Sequence, residues 1–262
     1  MMKLIGFPFS GGGLGHGDGS NLAPKEIVNQ LEKNIFSNES GVEVDFDFQL
    51  IKLDEQNIED SHELIKKTVE NLNEKAILLG GDHSITSPAV EGFAKQISDF
   101  HFIVFDAHPD LMDDFRPPTQ EDYLRVLIEK EIVKPTNCTI IGVRNWDKEE
   151  IKYLKEKNIS YYTSNDIYLK GMTNIISEIL SKIDKSIYLS IDIDVVDPVE
   201  AIGTGYIEHG GISSRELIYA LQELKKTGMI KMVDLVEINP KKDINDLTSI
   251  LGAKIVAELI DY

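Results

Sequence analysis

Short apolar runs rich in β-branched and aromatic residues alternate along this chain with longer segments of helical periodicity. This alternation predicts βαβ units and a mostly parallel sheet. Several of the runs are apolar throughout, as expected for strands covered by helices on both faces. Eight strands are predicted, at residues 2–7, 42–50, 76–79, 100–105, 138–143, 160–162, 187–193 and 230–236.

Helices are predicted to fill the gaps between these strands. Ser213 or Ser214 can cap the one that begins near Arg215. No linker, repeat or low-complexity segment divides the 262 residues, so we expect residues 1–262 to form a single catalytic domain. The carboxyl ends of its parallel strands meet at one edge, where loops build active sites. The helices are predicted at residues 24–34, 61–72, 87–97, 122–130, 148–157, 174–183, 214–226 and 246–259.

Charge and cysteine content exclude several classes of protein. The formal net charge of −18 disfavours a nucleic-acid partner and suits a cationic substrate, although an acidic surface also serves solubility alone. The sequence has neither an apolar run long enough to cross a membrane nor a secretory h-region. The lone Cys138 excludes an internal disulfide and is expected in the core. We therefore predict a cytoplasmic protein without nucleic-acid or membrane partners.

Three predicted strand ends carry closely spaced aspartates and histidines. They read Gly-Gly-Asp-His-Ser at 80–84, Asp-Ala-His-Pro-Asp at 106–110 and Ser-Ile-Asp-Ile-Asp-Val-Val-Asp-Pro at 190–198. Side chains two residues apart in an extended chain point to the same side. Asp192 and Asp194 are therefore expected to converge, as are Asp106, His108 and Asp110 if the extension persists. The candidate metal ligands are His83, Asp106, His108, Asp110, Asp192 and Asp194.

The joint pattern indicates a cation, because buried carboxylates are costly unless a positive charge compensates them. Carboxylates with imidazoles favour hard or borderline divalent ions such as Mn²⁺. Two such ions ~3.5–4 Å apart can hold a bridging hydroxide at neutral pH, which makes hydrolysis the predicted reaction class. Structural roles are predicted instead for Asp82, Asp197, His62 and His101.

In order and spacing, the three motifs resemble the metal motifs of the ureohydrolases, which include arginase, agmatinase and formimidoylglutamase. The resemblance continues through Gly203-Thr204-Gly205 and residues 210–216 to Val236-Glu237-Ile238-Asn239-Pro240, and is less clear before residue 75. It implies an arginase-like three-layer α/β/α sandwich with a mostly parallel central sheet. It also implies two Mn²⁺ ions per subunit and a homo-oligomer, either a trimer or a hexamer.

By position, the resemblance implies two terminal ligands for each manganese and two bridging aspartates: His83 and Asp110 for one ion, His108 and Asp194 for the other, and Asp106 and Asp192 between them. Asp110 is also implied to be catalytic, stabilising charge or receiving a proton. Glu237 is implied to bind the substrate guanidinium, since a carboxylate can accept two parallel N–H bonds from it. Asp147 is implied to contact a substrate amino group.

The sequence departs from the family pattern in residues that concern the substrate. Many relatives have a proton-relaying histidine after the second motif, whereas residues 111–141 contain none. His16, His209 or water are candidate substitutes. The start Asp110-Leu111-Met112 lacks the polar residues with which arginases hold an amino-acid carboxylate, and Arg116 is a candidate replacement.

The leading prediction is a binuclear-manganese hydrolase of a cationic guanidino compound, agmatinase- or arginase-like, which releases urea and an amine. The alternatives are a formimidoylglutamase-like amidine hydrolase, an enzyme acting on arginine side chains within peptides, and a non-catalytic metal-binding relative. The glycine-rich residues 11–19 lack both the Gly-x-Gly-x-x-Gly spacing and a Walker lysine. They are predicted to form a flexible loop near the metal edge.

Overall fold

The computed structural model describes residues 1–16, 18–113 and 115–262. Within these ranges eight strands form one sheet, in which every neighbouring pair is parallel. Each strand lies where the sequence predicts one. The strands are β1 (Met2–Gly6), β2 (Phe46–Leu50), β3 (Ala76–Leu79), β4 (His101–Phe105), β5 (Cys138–Val143), β6 (Ser160–Thr163), β7 (Ile187–Asp192) and β8 (Ile230–Val236).

The described residues also form nine α-helices, eight of them at predicted positions with ends shifted by a few residues. The helix that begins at Ser214 is capped by Ser213, whose hydroxyl accepts the Glu216 N–H while the Glu216 carboxylate accepts the Ser213 N–H. The helices are α1 (Ala23–Asn34), α2 (Ile58–Glu70), α3 (Thr86–Ala94), α4 (Tyr123–Glu129), α5 (Lys148–Lys157), α6 (Ser164–Lys170), α7 (Met172–Leu180), α8 (Ser214–Lys226) and α9 (Leu247–Leu259).

Apolar cores lie on both faces of the sheet. Leu4 packs in the core that includes α1, α7, α8 and α9, while the next residue, Ile5, packs in the core that includes α2, α3, α4 and α5. Burying such a side chain fully contributes about 1.5–3 kcal/mol, so both faces favour continuous apolar runs. The predicted three-layer α/β/α fold with a parallel sheet is confirmed.

The strand order determines which motifs meet. It runs β2-β1-β3-β8-β7-β4-β5-β6, so β3, β8, β7 and β4 are the four central strands. Three of them, β3, β4 and β7, lead into the predicted metal motifs, and β8 leads into Glu237. Because all four strands are parallel, these segments emerge at the same edge of the sheet.

Three residues that were predicted to lie outside the metal site, His62, His101 and Cys138, have other surroundings in the structure. His62 is buried against the Phe9 ring, and burial lowers the pKa of its imidazole to about 4. His101 lies 3.2 Å from the exposed Asp184 carboxylate. Cys138 is buried in the core. In the described parts of the chain, every helix is too short or too polar to cross a bilayer.

Candidate metal centre

The first motif is shaped by Asp82, which ends the turn after β3. Its buried carboxylate accepts the Ser84 N–H at 3.0 Å and the Gly12 N–H at 2.8 Å. It thereby caps the short 3₁₀ helix that begins at His83. Gly81 is required here, because a Cβ at that position would overlap the Phe9 carbonyl. Asp82 therefore orients His83, in agreement with its predicted structural role.

The second motif leaves β4 in an irregular conformation. Asp106 Oδ1 accepts the His108 N–H at 2.7 Å, which turns the chain back on itself. Asp110 adopts a left-handed conformation, with φ 52°. The next N–H, that of Leu111, is held by Glu150 Oε1 at 3.0 Å. These contacts direct three side chains of one short segment to the same place.

The third motif, at the end of β7, has a turned backbone where the sequence predicted an extended one. Convergence was predicted from extended backbone, yet Asp194 lies in a 3₁₀ helix that Asp192 caps by accepting its N–H at 2.8 Å. Asp194 Oδ1 in turn accepts the Ala107 N–H at 3.1 Å. The backbone turns because the aspartates hydrogen-bond to it, so side-chain capping rather than strand alternation aligns the carboxylates.

All six predicted ligands are brought together. His83 Nδ1 lies 3.1–3.2 Å from carboxylate oxygens of Asp106, Asp110 and Asp192. His108 Nδ1 lies 3.0 Å from Asp194 Oδ2 and 3.5 Å from Asp106 Oδ1. Two sets of atoms are close enough to hold an ion each, and Asp106 belongs to both sets. Its two oxygens face different imidazoles, which is the geometry of a bridging carboxylate.

The buried carboxylates of this cluster repel one another and are stabilised by a positive charge placed among them. Burial by itself lowers the pKa of His83, but the three aspartate carboxylates beside its ring raise it well above its usual range. Burial and neighbouring carboxylates raise the pKa of Asp110 and Asp192 well above theirs. In the part of the chain that the structure describes, neither His83 Nδ1 nor Asp106 Oδ2 has a hydrogen bond of good geometry. An oxygen- and imidazole-lined cluster of this kind fits divalent cations.

The other nitrogen of His83 is held by a buried chain of hydrogen bonds. Nε2 lies 3.0 Å from Ser190 Oγ, whose hydroxyl donates to Asp234 at 2.6 Å. Asp234 is fully buried and also accepts the hydroxyls of Tyr188 and Thr86. Because the Ser190 proton is directed to Asp234, its oxygen accepts the Nε2–H. The Nδ1 lone pair is then directed at the carboxylate cluster, as a metal ligand requires.

We expect Ser190→Ala to weaken Mn²⁺ binding by roughly 10- to 100-fold, because the His83 ring loses the partner that sets its tautomer and orientation. Equilibrium dialysis with elemental analysis measures this change. Tyr188→Phe is the matched control, since it removes another hydroxyl from Asp234 without breaking the link to His83. Equal manganese affinities in the two variants would contradict the assignment.

Glu237 adjoins the cluster at the end of β8. It has a left-handed backbone, with φ 65°, and its N–H donates to the Gly81 carbonyl at 2.8 Å. Its buried Oε1 accepts the His83 N–H at 2.7 Å. Burial and the charges of Asp192 and Asp82 raise the pKa of Glu237 well above its usual range. A cationic group that binds beside Glu237 would relieve this repulsion.

A cavity of about 180 Å³ opens onto the cluster and onto Glu237. Among the described residues, its lining contains carboxylates, amides and aromatic rings but no lysine or arginine. Asp147 lines the cavity and also caps α5 through the Glu149 N–H. Asn145 lines it too, and donates to Glu208 Oε1 at 2.6 Å. The cavity is thus suited to a cationic guest.

The loop histidines His16 and His209, candidates for the missing proton relay, lie outside the described cavity lining. The exposed His16 ring stacks on Tyr206 at 4.4 Å, and the Tyr206 ring contacts the His108 ring edge-to-face at 5.7 Å. His209 is exposed near Asp197, which accepts the N–H groups of Gly210 and Gly211 as a structural residue. Arg116, the candidate for holding a substrate carboxylate, lines a separate depression with Lys66 and Lys130 rather than this cavity.

Asp234, which lies behind the metal cluster, and several residues that line the cavity were not found from the sequence. Asp234 carries a signal that could have been used: it is a lone carboxylate in an apolar strand, and it pairs in register with Ser190. The others lie outside the metal motifs, so their approach to the cavity depends on how the loops fold. They are Met112, Gln120, Glu121, Trp146, Glu150 and Tyr206.

A parallel α/β sheet with a carboxylate–histidine cluster at its carboxyl edge defines a class of metal-dependent proteins, and comparison with known proteins identifies the family. The model of the arginase family matches residues 1–261. An arginase of Staphylococcus aureus is 33% identical over 71% of this chain and 67% of its own, and an agmatinase of Bacillus subtilis is 30% identical over 82% and 74%. A solved formimidoylglutamase of Bacillus subtilis superposes with TM-score 0.92, at 27% identity, over 99% of this chain and 86% of that one.

The chain therefore belongs to the arginase family. It is a metal-dependent ureohydrolase, a hydrolase of guanidino or amidino C–N bonds. At about 30% identity, the relatives are named as three different enzymes, an arginase, a formimidoylglutamase and an agmatinase. The substrate must therefore be argued from the cavity.

Proposed function

We propose that this ureohydrolase uses two Mn²⁺ ions to hydrolyse a cationic guanidino compound without an adjacent carboxylate, of the agmatine type, releasing urea and an amine. The observation that carries the proposal is the position of Glu237. Its buried carboxylate lies beside the metal cluster, in a cavity whose described lining offers a substrate no lysine or arginine. A planar guanidinium satisfies such a carboxylate through parallel N–H bonds.

The proposed metal ligands are the six residues of the cluster: His83 and Asp110, His108 and Asp194, with Asp106 and Asp192 shared. The ions would supply an activated hydroxide at neutral pH and stabilise developing negative charge. Glu237 Oε1 accepts the His83 N–H but keeps a second lone pair, so it can accept one N–H of the guanidinium while Oε2 accepts the other. Asp110, at the cavity wall, is placed to accept the proton of the attacking water as the tetrahedral species forms, and the leaving amine would then take up a proton from Asp110 or from solvent.

The residues after Asp110 support a substrate without an amino-acid carboxylate. Leu111 is fully buried and lies outside the cavity lining, while Met112 lines the cavity with an apolar chain. Glu121 and Asp147 add negative charge to the cavity lining. An anionic group on the far part of the substrate would find no lysine or arginine in the described lining, whereas a second ammonium group there would be attracted. This favours agmatine over arginine.

A formimidoylglutamase activity is the second candidate, and the TM-score of 0.92 to a solved formimidoylglutamase supports it. Its substrate would bring carboxylates into the acidic cavity, which is electrostatically unfavourable. An amidine hydrolysis of this kind would yield formamide rather than urea. The two candidates are therefore distinguished by their products.

The test is to load purified protein with Mn²⁺ and to measure urea and formamide separately from agmatine, arginine, an arginine-containing peptide and formimidoylglutamate. We expect urea from agmatine at the highest kcat/KM. Asp192→Ala is the blank, because it removes a proposed bridging ligand and is expected to abolish turnover. Formamide from formimidoylglutamate as the main product would replace the proposal with the second candidate. The predictions of a homo-oligomer and of a cytoplasmic location stay predictions.

A further inference from the structure

The side chain of Gln120 is buried in the lining of the catalytic cavity. Only 4% of the residue is exposed, and it lines the same cavity as His108, Asp110 and Glu237. Within residues 1–16, 18–113 and 115–262, neither Oε1 nor Nε2 of this amide has a hydrogen bond of good geometry. The Tyr206 hydroxyl donates its hydrogen to Glu121 at 3.0 Å, so its oxygen can take only a weak N–H contact from Gln120 Nε2 and gives Oε1 no donor.

An unpaired buried amide is unfavourable, because it has lost its bonds to water without replacing them. The side chain of Gln120 offers one carbonyl acceptor and two N–H donors. Its position at the cavity wall suggests where the missing partner comes from. A polar ligand in the cavity would satisfy a group that the folded chain leaves unsatisfied.

The backbone around Gln120 is held firmly in place. Its N–H donates to the Gly12 carbonyl at 3.1 Å, and the Gly12 N–H donates to Asp82 at 2.8 Å. Asp82 caps the turn that begins at His83, so these bonds join Gln120 to the metal cluster. Gly12 is required for this close approach, because a Cβ there would collide with the Ser84 hydroxyl. The amide is therefore presented to the cavity at a defined position rather than left unpaired by a loose loop.

We propose that Gln120 is a substrate-binding residue of this enzyme, with Oε1 accepting an N–H hydrogen of the bound cation. The inference rests on the proposed function, because it takes the occupant of the cavity to be a guanidino compound. Gln120 lies within residues 111–141, the segment that contains no histidine. A carboxamide does not titrate between pH 2 and 12, so this residue orients the substrate but cannot deliver a proton to the leaving amine.

The test is Gln120→Met, which keeps the length of the side chain and removes its hydrogen bonds. With the substrate that the wild-type protein hydrolyses, we expect kcat/KM to fall by roughly 10- to 100-fold, as for the loss of a hydrogen bond to a charged group. Bound manganese and the shape of the pH profile of kcat/KM should not change, and the melting temperature should not fall, because the variant loses an unsatisfied polar group. Gln30→Met is the matched control, because Gln30 is equally buried but lies in α1 and bonds to Glu26.

The result that would overturn the inference is a Gln120→Met variant with wild-type kcat/KM, or one whose activity falls in proportion to lost manganese. A failure of the proposed function is seen separately, in the wild-type protein. If that protein hydrolyses none of the compounds, calorimetric titration of both manganese-loaded proteins with agmatine decides the inference. Weaker binding to the variant supports it, whereas equal binding, or no binding to either protein, overturns it.

Discussion

Replacing Asp106 with Asn is expected to abolish metal-dependent turnover, with a loss of at least about a thousandfold, or about 4 kcal/mol of transition-state stabilisation. Asp106 is the residue common to both ion-sized clusters, and its two oxygens face the imidazoles of His83 and His108. Asparagine keeps the shape and can still accept the His108 N–H through its carbonyl. The change therefore removes the shared negative charge while leaving the turn in place.

Bound manganese after dialysis is the second measurement on Asp106→Asn, and it should fall from two ions to one or none. Asp197→Asn makes the same chemical change at a residue that bonds to loop N–H groups outside the cluster. That variant should keep its full manganese content. An Asp106→Asn protein with two ions and wild-type turnover would refute the proposed bridging role.

The second large effect is expected for Glu237→Gln, whose kcat/KM should fall by about 100-fold. The ion pair between the carboxylate and the guanidinium becomes a hydrogen bond to an uncharged carboxamide. Glutamine can still accept the His83 N–H through Oε1, so manganese content should be preserved. Steady-state kinetics with parallel elemental analysis separates these two quantities. Such a loss with intact metal would locate the effect in substrate binding.

Glu258→Gln is the matched control for this prediction. Glu258 is as buried as Glu237, but it lies on α9 and pairs with Lys254 and Gln222. We expect wild-type kcat/KM for that variant. If Glu237→Gln behaves in the same way, the guanidinium-binding role is excluded and the proposed class of substrate loses its main support.

The strands could be predicted from the sequence because both faces of the sheet are buried, so each strand is a continuous apolar run. Helix α6 could not, because it follows β6 directly and has only seven residues, with Tyr168 and Leu169 exposed. Its start is set by a local capping box between Thr163 and Asp166 rather than by an apolar face. Short helices of this kind have little periodicity from which to be recognised.

At the metal centre, the six Asp and His positions could be predicted because motif spacing and strand order bring them to one edge. The reason given for their convergence was partly wrong, since capping by Asp192 bends the backbone away from extension. Gln120 and Tyr206 could not be found, because they lie on loops whose paths depend on long-range bonds such as that between Gln120 and Gly12. Such contacts leave no local pattern in the sequence.

The position of β8 has a consequence for how the metal centre is assembled during synthesis. Every proposed ligand precedes residue 195, yet β3 and β7 are joined in the sheet only through β8, which ends at Val236. A nascent chain that has been made as far as Val195 therefore contains all six ligands but cannot yet bring His83 to the others. Manganese capture should come late in folding, after the last strand has been inserted between the two halves of the sheet.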